Sequence, residues 1–180
     1  GFPTSVAFFR ERLVYARGRT LWFSVAGDYE NFNSKDANET TAESAITITI
    51  STGRDENILW LHSGEVLFIG TPSGEFICRE MTGQEVFGPK NITITPGPGV
   101  GTSNVVPLET GTSQGLFVDR TNQRLHEIVY DAGSEAAEAP DVTRLSEHVL
   151  AGRAVGLTYA AHPDNVVWSW LQDGQFAALT

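Results

Sequence analysis

The chain has 180 residues, of which 41% are hydrophobic and 19% charged, and its formal net charge is −10. These values are typical of a globular protein that is long enough to bury a core. The acidic balance argues against a protein that grips nucleic acid, because such a grip needs a basic patch that displaces counterions. No run of 18 consecutive apolar residues occurs, so no transmembrane helix is predicted.

A hairpin motif recurs four times along the chain. Each copy is an apolar strand, a short polar turn and a second strand, and the copies lie at residues 12–23, 65–78, 115–129 and 165–179. Matching positions are Leu13, Leu67, Leu116 and Val166, which gives steps of 54, 49 and 50 residues. A hairpin unit with a period of about 50 residues is typical of propeller blades. The sequence therefore predicts an all-β chain, a β-propeller-like repeat of antiparallel hairpins.

Other strands complete the predicted blades. Ala45–Ile50 and Ile92–Thr95 alternate β-branched apolar residues with threonine, which is the period of a strand. We predict one domain with four approximate blades, at residues 5–26, 45–80, 92–130 and 154–180. The chain begins Gly-Phe-Pro rather than with methionine, and we expect it to be a fragment of a longer chain.

One short helix is predicted after the third hairpin. Thr143 can cap it, and Gly152 would end it. Leu145, His148 and Val149 fall on one face at helical spacing. Because eight residues are marginal as an isolated helix, it is expected to pack on a sheet.

Two loops invite a ligand interpretation. The segment Asp28–Glu43 holds five acidic residues and Lys35. It is interpreted as a solvated loop, with a calcium loop as the alternative, although the tight glycine turn of such loops is missing. Gly97–Gly101 is rich in glycine, but its prolines remove backbone donors and no helix follows, so it is predicted to be a plain loop.

No constellation of catalytic residues emerges. The histidines have no metal-binding spacing and are interpreted as structural or surface residues: His62, His126, His148 and His162. Cys78 is the only cysteine and is predicted to be a small buried hydrophobe. Thr71–Glu75 does not match a nucleophile elbow and is predicted to be a hairpin turn.

Paired carboxylates and tryptophans are the residues of this chain that could act on sugars or bind them. Asp28 with Glu30, and Asp55 with Glu56, are sequence neighbours, which rarely face each other across a cleft. Four tryptophans could stack on sugars or fill the core between blades: Trp22, Trp60, Trp168 and Trp170. Two glycosylation sequons, at Asn38 and Asn91, matter only in a secreted eukaryotic protein. No catalytic, cofactor-binding or metal-binding residue and no cofactor is predicted.

Four stretches of the sequence carry a family resemblance. They are Val6–Phe32, Asn57–Glu75, Leu125–Leu150 and Asp164–Thr180. Together, and in this order, they resemble the central part of tail nozzle proteins of short-tailed phages and related prophages, which are also called tail tubular protein B-like or stabilisation proteins. The combination of the four stretches is fairly specific to this family, whereas any one stretch alone would be weak evidence for it.

The resemblance implies a structural virion component, a ring-forming subunit built around a β-propeller through which DNA is ejected. It implies a protein that is made in the bacterial cytoplasm and located in the phage tail. Its expected partners are other tail proteins, copies of itself in a ring, and DNA that passes without specific binding. The family has no catalytic residues to carry over, so the chain is predicted not to be an enzyme. An acidic lining would repel phosphate and let DNA slide, with Asp28–Glu43 as the candidate lining.

Two alternatives stay open at this point. The first is a host-recognition or glycan-binding propeller module that uses tryptophan and tyrosine side chains at loop ends. The second is a propeller glycoside hydrolase. Binding on a glycan array would favour the first alternative, whereas ring formation would favour the nozzle interpretation over both.

Overall fold

The computed structural model describes residues 1–34, 39–51, 53, 57–81, 83, 86–111 and 114–180. The strands of these residues form four antiparallel sheets that follow one another along the chain. The first sheet holds β1 (Ser5–Phe9), β2 (Arg12–Arg17), β3 (Thr20–Phe23) and β4 (Ile46–Thr49). The second holds β5 (Trp60–Ser63), β6 (Leu67–Thr71), β7 (Gly74–Glu80) and β8 (Ile92–Pro96).

The third sheet holds β9 (Leu108–Gly111), β10 (Gln114–Val118), β11 (Leu125–Asp131) and β12 (Ala136–Glu138). The fourth holds β13 (Ala154–Ala160), β14 (Val166–Leu171) and β15 (Phe176–Leu179). Within every sheet, neighbouring strands in space are neighbours in sequence. The repeated hairpin is the second and third strand of each sheet, so the prediction of an all-β, propeller-like repeat of antiparallel hairpins is confirmed.

Two predicted blade boundaries are wrong. Ile46–Thr49 was expected to open the second blade, but it pairs with β3 of the first sheet, with Phe23 opposite Ile46. Ile92–Pro96 likewise pairs with β7 of the second sheet rather than opening the third. The physical reason is that β3 and β7 each have a free edge, and the returning chain satisfies the hydrogen-bonding groups of that edge.

The predicted helix at residues 143–152 is also wrong. The described chain has only a single 3₁₀ turn there, Glu147–Leu150. Thr143 is not a cap, because its hydroxyl accepts a hydrogen bond from the Leu125 amide (3.1 Å) and donates one to Asp141 (2.7 Å). Leu145 is 97% exposed and Leu150 is the buried residue, so the apolar spacing seen in the sequence does not define a packed face.

The hydrophobic core is divided into three clusters, each between two successive sheets. The cluster between the first and second sheets includes Val14, Leu21, Phe23, Leu67, Ile69 and Cys78. The one between the second and third includes Trp60, Phe68, Ile77, Phe117 and Ile128. The one between the third and fourth includes Leu116, Val118, Leu125, Leu157 and Leu171. The sheets therefore stack face to face.

This stacking explains the burial pattern of the strands. In β2 buried residues alternate with half-buried or exposed ones, because the first sheet packs a neighbour on one face only. In β6 all five residues are buried, because the second sheet has a core on both faces. In the part of the chain that the structure describes, no helix is long and apolar enough to cross a membrane.

Candidate functional site

A wide groove lies between the first and second sheets. Its volume is about 1120 Å³. The turn between β1 and β2 forms part of its wall, together with aromatic and acidic side chains, namely Phe8, Tyr29, Phe87, Glu11, Glu43 and Glu80. The rings of Phe8 and Tyr29 meet edge to face at 5.2 Å. The groove thus presents aromatic faces beside charged groups.

The turn between β1 and β2 is conformationally unusual. Its two central residues, Arg10 and Glu11, have φ values of 48° and 57°. Two-residue hairpin turns of this kind usually carry Asn-Gly, because side chains disfavour the left-handed region. The Arg10 guanidinium pairs with Glu80 of the second sheet (Nε to Oε1, 2.7 Å) and donates to the Glu65 carbonyl at 3.0 Å. These contacts fasten the turn to the second sheet and fix one wall of the groove.

Arg12 lies next to this turn and is buried, with 1% of its surface exposed. Its guanidinium donates to three backbone carbonyls, those of Ser24 (2.7 Å), Ser44 (2.9 Å) and Ala42 (2.7 Å). Burial lowers the pKa of Arg12, and the charge of Glu43 opposes that change. Arg12 therefore ties the loops before and after the acidic segment to the first sheet.

A second buried charged residue, Glu75, lies under the loop at residues 97–101. It is 1% exposed, and its Oε2 accepts a hydrogen bond from the Val100 amide at 3.1 Å. Its Oε1 is buried and has no hydrogen-bond partner among the residues that the structure describes. Burial raises the pKa of the Glu75 carboxyl above its ordinary value of 4.5. Backbone hydrogen bonds, including those at Val100 and Gly101, oppose this rise in the pKa, but burial is the larger effect.

This pKa leads to a prediction for stability against pH. Because the folded pKa of Glu75 lies above the unfolded value, the stability it contributes is complete below pH 4.5 and is lost as the pH rises through the folded pKa. Glu75→Gln mimics the neutral acid and removes that loss. We expect the stability of Glu75→Gln relative to the wild type to be higher at pH 8 than at pH 4.

Urea unfolding at the two pH values measures this difference. Glu30→Gln, which changes an exposed carboxylate, is the matched control. A Glu75→Gln advantage that is the same at both pH values, or that shrinks towards pH 8, would contradict the prediction.

The histidines and the cysteine occupy two kinds of position. His62 is buried, with Nε2 at 3.3 Å from the Gln114 carbonyl, and burial lowers its pKa. His126 is buried against Phe117, with Nδ1 at 2.8 Å from the Ala139 carbonyl. His148 and His162 are exposed, so two of the histidines are buried and two lie on the surface. Cys78 is fully buried, which confirms that prediction, and burial raises the pKa of its thiol.

The remaining sequence candidates do not come together. Asp28 and Glu30 are exposed turn residues, whereas Asp55, Glu56 and the sequon residue Asn38 lie outside the described residues. Thr71–Glu75 contains the turn from β6 to β7, as predicted. Asn91 donates to the Val86 carbonyl. Across the described parts of the chain, no three His, Cys, Asp or Glu side chains gather as a metal site.

The tryptophans divide between core and surface. Trp60 fills the core between the second and third sheets, and its indole donates to the Thr102 hydroxyl at 2.8 Å. Trp22 is half-buried, and Trp168 and Trp170 are each 40% exposed. The core interpretation is therefore confirmed for Trp60 alone. Sequence reasoning could have separated them by strand parity, because Trp168 and Trp170 alternate with the core residues Val167 and Leu171.

The outward side of the first sheet, here the leading face, is aromatic. Val6, Tyr15 and Trp22 lie opposite one another on adjacent strands, and Phe8 follows Val6 on the same side. The Tyr15 ring stacks on Phe32 at 5.5 Å. Val6 is 57% exposed, and Phe8, Tyr29 and Phe32 are also exposed.

The outward side of the fourth sheet, here the trailing face, is aromatic as well. Trp170 pairs with Phe176 across β14 and β15, and Trp168 lies two residues away on the same side. Phe176 is 72% exposed. The Trp170 ring lies directly over Gly156, where any side chain would collide with it. Both faces carry solvent-exposed aromatic rings on a β-sheet, and exposed apolar patches are typical of interaction surfaces.

No family model and no curated protein matches this chain. A solved structure of a luciferin-regenerating enzyme aligns with 99% of this chain and 72% of its own chain, at 9% sequence identity and a TM-score of 0.36.

That comparison corrects one prediction. The aligned protein is described as an enzyme, which contradicts the prediction from the sequence that this chain is not one, and that prediction is withdrawn. At this TM-score and identity the likeness carries no argument about the activity, substrate or fold of the chain.

Proposed function

We propose that this chain is part of a tail nozzle subunit, a structural component of a phage or prophage tail that contributes to the conduit for DNA ejection. The four stretches that resemble nozzle proteins supply strands to all four sheets. The partners are other tail proteins and further copies of the subunit, and the location is the virion tail.

The observation that carries the proposal is the pair of aromatic faces. A protein that works by assembly needs apolar surface that stays exposed until its partners arrive. The leading face offers Val6 and Phe8, and the trailing face offers Trp168, Trp170 and Phe176, all exposed. Aromatic side chains such as these tryptophans and phenylalanines are enriched in protein interfaces.

The net charge of −10 fits passage of DNA better than its retention. Phosphate is repelled by an acidic wall, so DNA moving past such a wall is not held. Asp28, Glu30, Glu39 and Glu43 supply part of this charge from one segment. We propose this segment as a section of the conduit lining.

Immunogold labelling tests whether the chain lies in the tail of the particle. Antibodies raised against the purified chain are labelled with gold and applied to particles purified from cells that produce the parent protein, and the particles are imaged by electron microscopy. Label at the tail, together with a closed ring of subunits around an axial channel, is the expected result. Label confined to the capsid, or particles without label, would overturn the proposal.

A second candidate function, glycan binding, is favoured by the groove between the first and second sheets. Tyr29 and Phe8 line it beside the Arg10–Glu80 ion pair, and sugars are bound by aromatic faces together with charged hydrogen-bonding groups. Binding of the chain to surface polysaccharide, combined with absence of tail label, would replace the nozzle proposal by this one.

A further inference from the structure

The groove between the first and second sheets already holds one cation of the chain itself. The guanidinium carbon of Arg10 lies over the Phe9 ring, 5.3 Å from the ring centre, and the Arg10 Nε pairs with Glu80 at 2.7 Å. A positive charge between an aromatic face and a carboxylate is stabilised by both, because the ring quadrupole and the carboxylate each attract it. The walls of the groove therefore suit cationic groups.

Two further carboxylates line the groove without such a partner. Glu11 and Glu43 are exposed wall residues, and neither forms an ion pair with any residue that the structure describes. The charges of Arg12 and Glu43 attract each other only at longer range. The Glu80 charge, by contrast, is taken up by Arg10 through two contacts of 2.7 and 3.3 Å. Glu11 and Glu43 thus leave negative charge open to a cationic ligand.

Arg12, at the floor of the groove, has a donor to spare. It lines the groove although only 1% of its surface is exposed. Its terminal nitrogens donate to backbone carbonyls, whereas its Nε has no hydrogen-bond partner within the described part of the chain. A buried donor without an acceptor costs free energy, which an oxygen atom of a ligand seated on this floor would recover. The groove therefore calls for acceptor oxygens as well as cationic groups.

Aromatic rings supply a third kind of contact. Tyr29 is 44% exposed, and its ring meets that of Phe8 edge to face at 5.2 Å. Such rings pack against apolar C–H surface and also attract ammonium groups. The volume of about 1120 Å³ leaves room for several sugar rings.

We propose that this groove binds an amino sugar, a saccharide whose amino groups are free and protonated. Its ammonium groups meet Glu11 and Glu43, its C–H face packs on Tyr29, and one of its oxygens accepts from the Arg12 Nε. A polyamine or a lysine side chain has the cation but no acceptor oxygen, and a neutral sugar has the oxygens but no cation. The inference rests on glycan binding, the second candidate function, and narrows it to cationic glycans.

Isothermal titration calorimetry with two matched oligosaccharides tests the inference. The probes are tetramers of glucosamine and of N-acetylglucosamine with the same linkage, which differ only in their acetyl groups. In mildly acidic buffer, where the free amines are protonated, the glucosamine tetramer is expected to bind about tenfold more tightly. The reason is that acetylation removes the charges that pair with Glu11 and Glu43.

Substitutions in the groove locate the site. Glu11→Gln and Glu43→Gln should each weaken binding of the glucosamine tetramer by about threefold, and together by about tenfold, as for exposed ion pairs. Tyr29→Leu should weaken it by about threefold, because the ring face is lost. Glu138→Gln is the control, since it removes an equal charge from an exposed position in the third sheet. Circular dichroism of every variant confirms that it is folded.

Several results would overturn the inference. Equal affinity for the two tetramers would remove the preference for a cation and leave glycan binding intact. A loss in Glu138→Gln as large as that in Glu11→Gln would show attraction to the net charge alone. Oligolysine that binds as tightly, with the same dependence on Glu11 and Glu43, would make this a site for basic peptides.

Failure of both tetramers to bind would also overturn the inference. Binding of the chain to surface polysaccharide would then still show glycan binding of another kind, so the two can fail separately. Gold label at the tail tests the nozzle proposal independently of these titrations.

Discussion

Replacing Arg12 with methionine is expected to lower the free energy of unfolding by about 3 kcal/mol, since each buried acceptor that loses its donor costs about 1 kcal/mol or more. Methionine keeps much of the side-chain volume but leaves the carbonyls of Ser24, Ala42 and Ser44 without the guanidinium. Urea unfolding followed by circular dichroism measures the change.

Two further variants make the Arg12 result specific. Arg12→Lys keeps the positive charge but cannot span three carbonyls, so its loss should be intermediate. Arg17→Met changes an exposed arginine of the same strand and should stay within about 0.5 kcal/mol of the wild type. If Arg12→Met proved as stable as Arg17→Met, the three hydrogen bonds would contribute nothing to stability.

Replacing Phe68 with alanine is expected to destabilise the chain by about 4 kcal/mol, in the range for a buried phenylalanine. Phe68 is fully buried in β6, an inner strand of the second sheet, and belongs to the cluster between the second and third sheets. Its ring stacks on His62 at 6.1 Å, and it lies opposite Ile77 on β7. The cavity would therefore open where two sheets meet and where little can collapse to fill it.

The same chain offers a control for Phe68. Phe176→Ala removes an equal side chain that is 72% exposed, and in dilute monomeric solution it should cost less than about 1 kcal/mol. Tryptophan fluorescence, to which Trp60 of the same cluster contributes, reports on the loosened core. Equal losses for the two variants would mean that the contact between the second and third sheets does not limit stability.

The sequence predicted those parts of the fold that depend on nearby residues. The four repeated hairpins could be recognised because alternation and turn chemistry act within about ten residues. The sheet to which Ile46–Thr49 belongs could not be recognised, because a long loop precedes this strand and it could have paired with either neighbouring sheet. The helix prediction failed because a long-range bond from Leu125 takes the Thr143 hydroxyl that would have capped it.

The buried charges were also missed, although strand parity held a signal for them. Arg12 has the same parity as Val14 and Ala16 in β2, and both of these belong to the core. Glu75 has the same parity as Ile77 in β7. A charged residue that lies on the same side of a strand as buried residues is itself expected to be buried and to have a structural role. The groove was beyond sequence reasoning, since its walls come from segments far apart in the chain.

The burial of Cys78 has a practical consequence for spectroscopy. The single native thiol of this chain is shielded by β6 and β8 on either side of its strand, and the thiolate is the form that alkylating reagents attack. A maleimide dye or a spin label will therefore attach only to a cysteine introduced deliberately. Such introduced cysteines, in a background from which the native cysteine need not be removed, can report on chosen positions by resonance energy transfer or electron paramagnetic resonance.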